Sequence, residues 1–413
     1  MNGTKITPPL NKQGRFNDEN KAALWTVLSC AVYFSSYLTR LVYAACVSAI
    51  REDIGASKGL AGLAVTGAFV TYGLGQLISG VLGDRFRPQR IISVGLLMTS
   101  VCNFLIPMMP NVYAMTVVWC FNGFFQSMLW PPLVKVMSIV FDAEGYKKAC
   151  VRVSLASSLA TVVIYLLVPV CIEASGWRLA FIVTGAMGTS ICAIWSVVTS
   201  KLSYSENKAA EAEKKASVAT VFKAEFLLPI MLAIALQGML RDGITTWVPS
   251  YISEVFELKT SSSILTSVVI PLFSFVSLWL AAQVNRKLTG ERRCATLFFG
   301  VACASALLLM PLFNASAALS VLLMAIITGC AHGINLMLVC NLPGTLTKYG
   351  KVSTVSGLLN TFTYIGSAVS TYGFAALADS KGWFFTVGSW ALTAFLGGAL
   401  CLLAMWKKKD FKS

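Results

Sequence analysis

A chain of 413 residues has room for two or three soluble domains, but 56% hydrophobic and only 12% charged residues exclude a soluble reading of the whole. The mean hydropathy of +0.71 goes with charges that cluster between apolar runs of roughly 20 residues, the length that spans a bilayer core of about 30 Å. An excess of 33 Lys and Arg over 18 Asp and Glu, a net charge of +15, would suggest a nucleic-acid partner in a soluble protein; in a membrane protein topology explains it first, and no nucleic acid is expected.

In chain order, residues 1–22 are polar, lack the apolar core and cleavage site of a signal peptide, and read as a cytoplasmic tail. Apolar runs follow at about 23–50, 61–82, 91–109, 112–141, 151–173 and 178–200. A polar stretch at 201–225, rich in Ala, Glu and Lys, reads as a solvated cytoplasmic linker. Six further runs lie at 226–253, 262–284, 294–313, 316–345, 353–378 and 382–406, before a second cytoplasmic tail at 407–413. The pattern predicts an all-α membrane protein of twelve transmembrane helices in two six-helix bundles, 23–200 and 226–406.

Basic residues fix the orientation. With both termini inside, 25 of the 33 Lys and Arg fall in cytoplasmic segments, and the outer loops keep Arg51, Lys58, Arg178, Lys259 and Lys381. A five-to-one bias is a strong positive-inside signal. Only Arg40, Lys135 and Arg241 are left within the membrane. The 12 cysteines are scattered, without a CxxC pair, and read as small buried hydrophobes, so neither a metal site nor a cofactor is expected.

The two halves carry copies of the same landmarks. Arg40 and Arg241 are 201 residues apart, as are Asp84 and Asn285, while Gly176-Trp177 and Gly382-Trp383 are 206 apart. A common offset of about half the chain indicates a duplication, and hence pseudo-symmetric bundles.

The turn Gly80-Val-Leu-Gly-Asp84-Arg85-Phe-Arg-Pro-Gln-Arg90 between the second and third runs, with a degenerate copy at Asn285-Arg286 between the eighth and ninth, resembles the major facilitator superfamily. The resemblance implies a gating motif at Gly80, Asp84, Arg85, Arg90, Asn285 and Arg286, in which Asp84 caps and pairs across a cytoplasmic gate and the arginines hold helix ends and anionic headgroups. Within that superfamily, Tyr37-Leu-Thr-Arg40, Tyr72-Gly73, Gln126-Ser-Met-Leu-Trp130-Pro131-Pro132 and Leu240-Arg241-Asp-Gly243 through Trp247 are similar to the organophosphate:phosphate antiporter family. That likeness implies a substrate site holding Arg40, Arg241, Tyr33, Tyr37, Gln126 and Trp130. It also brings in Ser158, at the place of a helix 5 histidine in glycerol-phosphate carriers, and Tyr364 in the eleventh run. Gln76 stands where the family often has a lysine, and Ile270 where it has an acid.

An arginine at the centre of a span costs about 2.5–3.5 kcal/mol even on lenient insertion scales, so such a residue faces a cavity or a partner. Asp242 is the only acid embedded beside Arg40 and Arg241, and as Arg241's immediate helical neighbour it points about 100° away, which makes it a poor partner. Two uncompensated guanidinium groups are therefore expected, with a planar anion such as phosphate or carboxylate as their counterion. His332 and Asn335, at i and i+3 in the tenth run, suit a cavity role or a structural hydrogen bond equally well. Lys135 could assist the anion or lie at the cytoplasmic end, and Trp130 packs beside Pro131 and Pro132.

Neither a catalytic residue nor an enzyme activity is expected. The function expected is alternating-access exchange of a sugar phosphate or other organophosphate for inorganic phosphate by a monomer in the cell membrane. The alternatives are a carboxylate carried with protons, for which Asp242 or His332 would take the proton, and a transporter-like sensor of sugar phosphate.

Overall fold

The structure is a computed structural model that describes residues 19–55, 58–201, 227–257, 269–288, 290–345 and 351–406. The expected linker, apart from Lys201, and the tails 1–18 and 407–413 lie outside the described residues. The first half holds α1 (Glu19–Ile54), α2 (Lys58–Arg85), α3 (Pro88–Leu105), α4 (Val112–Gln126), α5 (Trp130–Val140), α6 (Ala143–Ser175) and α7 (Trp177–Lys201). The second holds α8 (Leu227–Gly238), α9 (Ile244–Phe256), α10 (Val269–Leu288), α11 (Glu291–Leu312), α12 (Ala317–Asn335), α13 (Leu342–Thr345), α14 (Val352–Lys381) and α15 (Trp383–Trp406).

Among the described residues fifteen helices make twelve spans, because three spans are interrupted. α4 and α5 form one span, restarted at Pro131 and Pro132, whose missing N–H groups fall in the first turn, where a helix has no use for them. α8 and α9 are joined by a π-helical turn, Met239–Gly243, and α12 and α13 by another, Leu336–Asn341. Among the described residues ten spans are long and apolar enough to cross a membrane. The other two expected runs are α10 and α14; α14 buries Ser353, Ser356, Thr361, Thr363, Ser367 and Ser370, so its apolar content is low for a lipid-facing helix.

Large apolar side chains such as Val27, Leu74, Leu166 and Phe395 are more than half exposed, which is how a surface facing hydrocarbon differs from one facing water. All 12 cysteines are free thiols, eight of them buried.

The duplication is visible in the packing. Gly176 and Gly382 take φ values of 81° and 83°, a left-handed conformation that suits glycine, and each ends a helix so that a tryptophan can open the next. Trp177 Nε1 donates to Asp53 Oδ2 at 3.1 Å, and Trp383 Nε1 donates to Glu254 Oε2 at 2.8 Å. Asp53 and Glu254 each lie 13 residues after the arginine of their half, Arg40 or Arg241. Arg178 also pairs with Asp53 at 2.9 Å. The Trp177 and Arg178 hydrogen bonds hold the exposed Asp53 carboxyl below its ordinary range.

The halves meet along an antiparallel seam between α2 and α14. Tyr72, Gln76, Gly80 and Asp84 recur every fourth residue, so they line one face of α2. Opposite them on α14 are Tyr364, Thr361, Gly357 and Ser353. At Gly357 an added Cβ would lie 2.2 Å from the Gln76 carbonyl oxygen, so the seam is closed to a degree that only glycine permits.

Candidate anion-binding site

Arg40 sits in the middle of α1, a helix of 36 residues with neither glycine nor proline, and Tyr33 and Tyr37 precede it on the same face. Its guanidinium carbon lies 4.3 Å from the Tyr37 ring centroid and 5.1 Å from that of Tyr72. Nη1 donates to the Tyr364 hydroxyl at 3.3 Å across the seam, whereas the buried Nε has no hydrogen-bond partner. The aromatic wall continues from Tyr37 to Tyr33 at 5.2 Å and on to Trp130 at 4.8 Å, with Tyr364 edge-on to Tyr72 at 4.7 Å. Cation–π contact offsets part of the cost of burying the charge without neutralising it. Among the described residues no carboxylate lies within ion-pair distance of Arg40.

Arg241 differs, and here the expectation of an unpaired charge fails. Its Nε donates to Asp242 Oδ1 at 2.7 Å and its Nη2 to Asp242 Oδ2 at 2.8 Å, a two-bond ion pair between adjacent residues. A helical wheel separates the Cβ directions of neighbours by about 100°, but it says little about the tip of a long arginine. In a π-helical turn the side chain folds back, and two charge-assisted hydrogen bonds, between side chains 14% and 32% exposed, outweigh the bend. Ser367 of α14 also donates to Asp242 Oδ2, at 2.5 Å. Arg241 Nη1 donates to Asn335 Oδ1 at 3.3 Å, at the start of the second π-helical turn. His332 lies one helical turn before Asn335, within electrostatic range of Asp242. Tyr37 and Tyr364, which contact Arg40, lie within electrostatic range of Arg241 as well.

The remaining candidates divide. Trp130 is on the aromatic wall, with its buried Nε1 unpartnered. Gln126 accepts from Ser36 at 2.7 Å and donates to Thr39 Oγ1 at 2.8 Å, so its amide ties α4 to α1. Ser158 bonds to the Ser154 carbonyl and lies 3.4 Å from Ser274 Oγ, joining α6 to α10. Lys135 is at the far end of the seam, its Nζ 3.7 Å from Asp84 Oδ1.

At that end Asp84 accepts from the backbone N–H of Ser353 at 3.1 Å and of Thr354 at 2.7 Å. Gly80 packs on the same turn of α14. Tyr146 donates to the Cys340 carbonyl at 2.6 Å, and Lys147 pairs with Glu291 at 2.6 Å, two more links between halves at this end. Asn285, the counterpart of Asp84, instead accepts from the Cys294 thiol at 3.4 Å within its own half. Arg85, Arg90 and Arg286 are exposed.

Tyr72, Gln76 and Ser367 were not singled out as site residues from the sequence. Gln76 is fully buried, one turn from Tyr72 on the α2 face, and neither amide atom has a partner. The four-residue spacing that ends at Asp84 is the signal that picks out both Tyr72 and Gln76; nothing comparable marks Ser367. Among the described residues there is no cluster able to hold a metal.

Comparison with known proteins agrees with this architecture. The "Probable hexose phosphate transport protein" of Chlamydia trachomatis serovar D is 25% identical over 153 residues, 37% of this chain and 34% of that protein. The matched stretch thus spans about a third of that relative's length. The "Membrane sensor protein UhpC" of Escherichia coli strain K12 is 22% identical over 382 residues, 86% of each chain. Among solved structures, the transporter FucP in its outward conformation superposes with a TM-score of 0.74 at 11% identity, covering 92% of this chain and 98% of that one. Residues 29–371 match the Major Facilitator Superfamily, and the chain is a multi-pass membrane protein belonging to that family.

Proposed function

We propose that this chain is a secondary transporter of an organic anion that exchanges a sugar phosphate or another organophosphate for inorganic phosphate by alternating access, in the cell membrane with both termini cytoplasmic. The observation that carries this reading is Arg40, half-buried between tyrosines, whose Nε is buried and unpartnered and which has no carboxylate within ion-pair distance among the described residues. A desolvated guanidinium of that kind needs an anion to supply its missing charge and hydrogen bonds. The likeness to a hexose phosphate transport protein supports a phosphorylated substrate.

In this reading the Asp84 end is cytoplasmic, and the Asp84–Ser353–Thr354 contacts close it. Transport parts this seam while the opposite mouth closes, each half rocking about the shared site. A bound anion lowers the cost of enclosing Arg40 in a low-dielectric space, which favours exchange over return of an empty carrier. Counterflow in proteoliposomes tests it: internal phosphate should accelerate uptake of a labelled sugar phosphate. Uptake that ignores internal phosphate and collapses with a protonophore would replace exchange by proton coupling, with Asp242 or His332 as the proton carrier.

A second reading, a membrane sensor of sugar phosphate, is supported by the likeness to a sensor protein over 86% of both chains. Ligand binding without any flux in the same liposomes would favour it.

A further inference from the structure

We propose that Asp242 sets the valence of the anion accepted here: by neutralising Arg241 it leaves one free positive charge, on Arg40, and the site selects singly charged anions over doubly charged ones. The inference rests on the organophosphate reading and narrows it to the singly ionised form of such a substrate, or to a strong monoanion of the same shape.

The geometry supplies the charge count. Arg241 and Asp242 share two hydrogen bonds of 2.7 and 2.8 Å, and Ser367 holds the same carboxylate at 2.5 Å from the other side. The carboxylate is therefore anchored by three hydrogen bonds from two helical spans. Arg40 has the Tyr364 hydroxyl and two aromatic faces for company, none of them an anion's equal. Gln76, on the α2 face that runs toward the closed end, is neutral and offers one donor group and one acceptor. Arg40, Arg241 and Asp242, the charged side chains joined by these contacts, sum to one positive charge.

A monoanion completes that sum. A dianion either leaves a net negative charge that the enclosing of the site would desolvate, or must compete with Asp242 for Arg241 and leave the displaced carboxylate on Ser367 alone. The titratable and charged groups that act on Asp242 are Arg241 and His332, and those that act on Arg241 also include Tyr37 and Tyr364.

The test compares two probes of one shape, glucose 6-sulfate and glucose 6-phosphate, with the purified full chain at pH 8, by calorimetry or competition for uptake. The sulfate ester is singly charged throughout, and the phosphate ester, with a second pKa of about 6, is mostly doubly charged. The wild-type protein should bind the sulfate about tenfold or more tightly, with the gap closing at pH 5.5. The sulfate's own pH response reports any titration of the protein. Asp242→Asn should abolish or reverse the preference at pH 8 by gaining affinity for the phosphate, and Asp242→Glu should keep it. Wild-type preference for the phosphate ester at pH 8, or an Asn variant with the wild-type ratio, overturns the inference and leaves the organophosphate reading standing. If neither ester binds, both fall. The wild-type ratio at two pH values needs no variant, so misfolding of Asp242→Asn does not remove the test.

Discussion

Asp84, at the end of α2, holds the backbone nitrogen of Thr354, in the first turn of α14, at 2.7 Å, so a carboxylate of one half caps a helix of the other. The first N–H groups of a helix have no partner within it, and a negative charge there also favours the helix dipole. Two such groups, from Ser353 and Thr354, are satisfied only while the halves stay together at this end. The cap thus depends on contact between the two halves.

Removing it should unlock that end. Loss of a helix cap costs about 0.5–2 kcal/mol, or about 2- to 30-fold in a two-state equilibrium. Asp84→Ala should therefore raise the rate at which Cys150 and Cys340, both buried at the same junction, react with a maleimide by a similar factor. Peptide mass spectrometry reads the two sites separately; unchanged rates would show that Asp84 does not hold the junction closed.

The seam should tolerate no side chain at Gly357. Valine there would force its Cβ against the Gln76 carbonyl oxygen and the Gly80 backbone, at 2.2 and 3.1 Å. Overpacking of a tight contact costs roughly 1–3 kcal/mol, here charged to the closed arrangement alone. Gly357→Val should lose most of its transport, about tenfold or more, while running as a monodisperse protein in size-exclusion chromatography. Wild-type flux would mean that α2 and α14 never need this approach.

At the site, Arg40→Lys keeps the charge but loses the planar fork. Charge-assisted hydrogen bonds contribute about 1.5–3 kcal/mol, so substrate affinity should fall by about one to two orders of magnitude. Tyr364→Phe removes only one neutral hydroxyl partner of Arg40 and should cost less, about two- to tenfold. Near-normal uptake by Arg40→Lys in proteoliposomes would remove Arg40 from the site.

Asp53 gives a pH-dependent case. Its folded pKa is lowered, by its hydrogen bonds to Trp177 and Arg178, so its contribution to stability is present above the unfolded value of about 3.9 and disappears as pH falls through the folded value. Asp53→Asn should lower the apparent Tm at pH 7, with the difference from wild type shrinking on acidification below about pH 4. A difference that stays constant to pH 3 would mean that the charge is irrelevant and that only the shape of the side chain matters.

Much of this was legible in the residues. The shared offset of Arg40 and Arg241 announced the duplication, and the same offset relates Asp53 to Glu254, whose matching bonds to Trp177 and Trp383 only coordinates reveal. The interruptions at the two π-helical turns left no mark, because a π turn differs from an α turn in hydrogen bonding rather than in composition. For the same reason the Arg241–Asp242 pair could not be read from a wheel that assumes α geometry. Ser158 illustrates another limit: matching a position to a family's histidine says nothing about which neighbour a short hydroxyl will find, here Ser274.

The bond from Trp177 to Asp53 joins the last helix of the first half to its first, far from the Asp84 end. Its consequence concerns biosynthesis. Once α7 has been inserted, the first six spans contain both partners of their own closing contact, before α8 has been made. Domains that emerge first fold first during synthesis. The early half can thus circularise alone, and the later half repeats the step when Trp383 reaches Glu254.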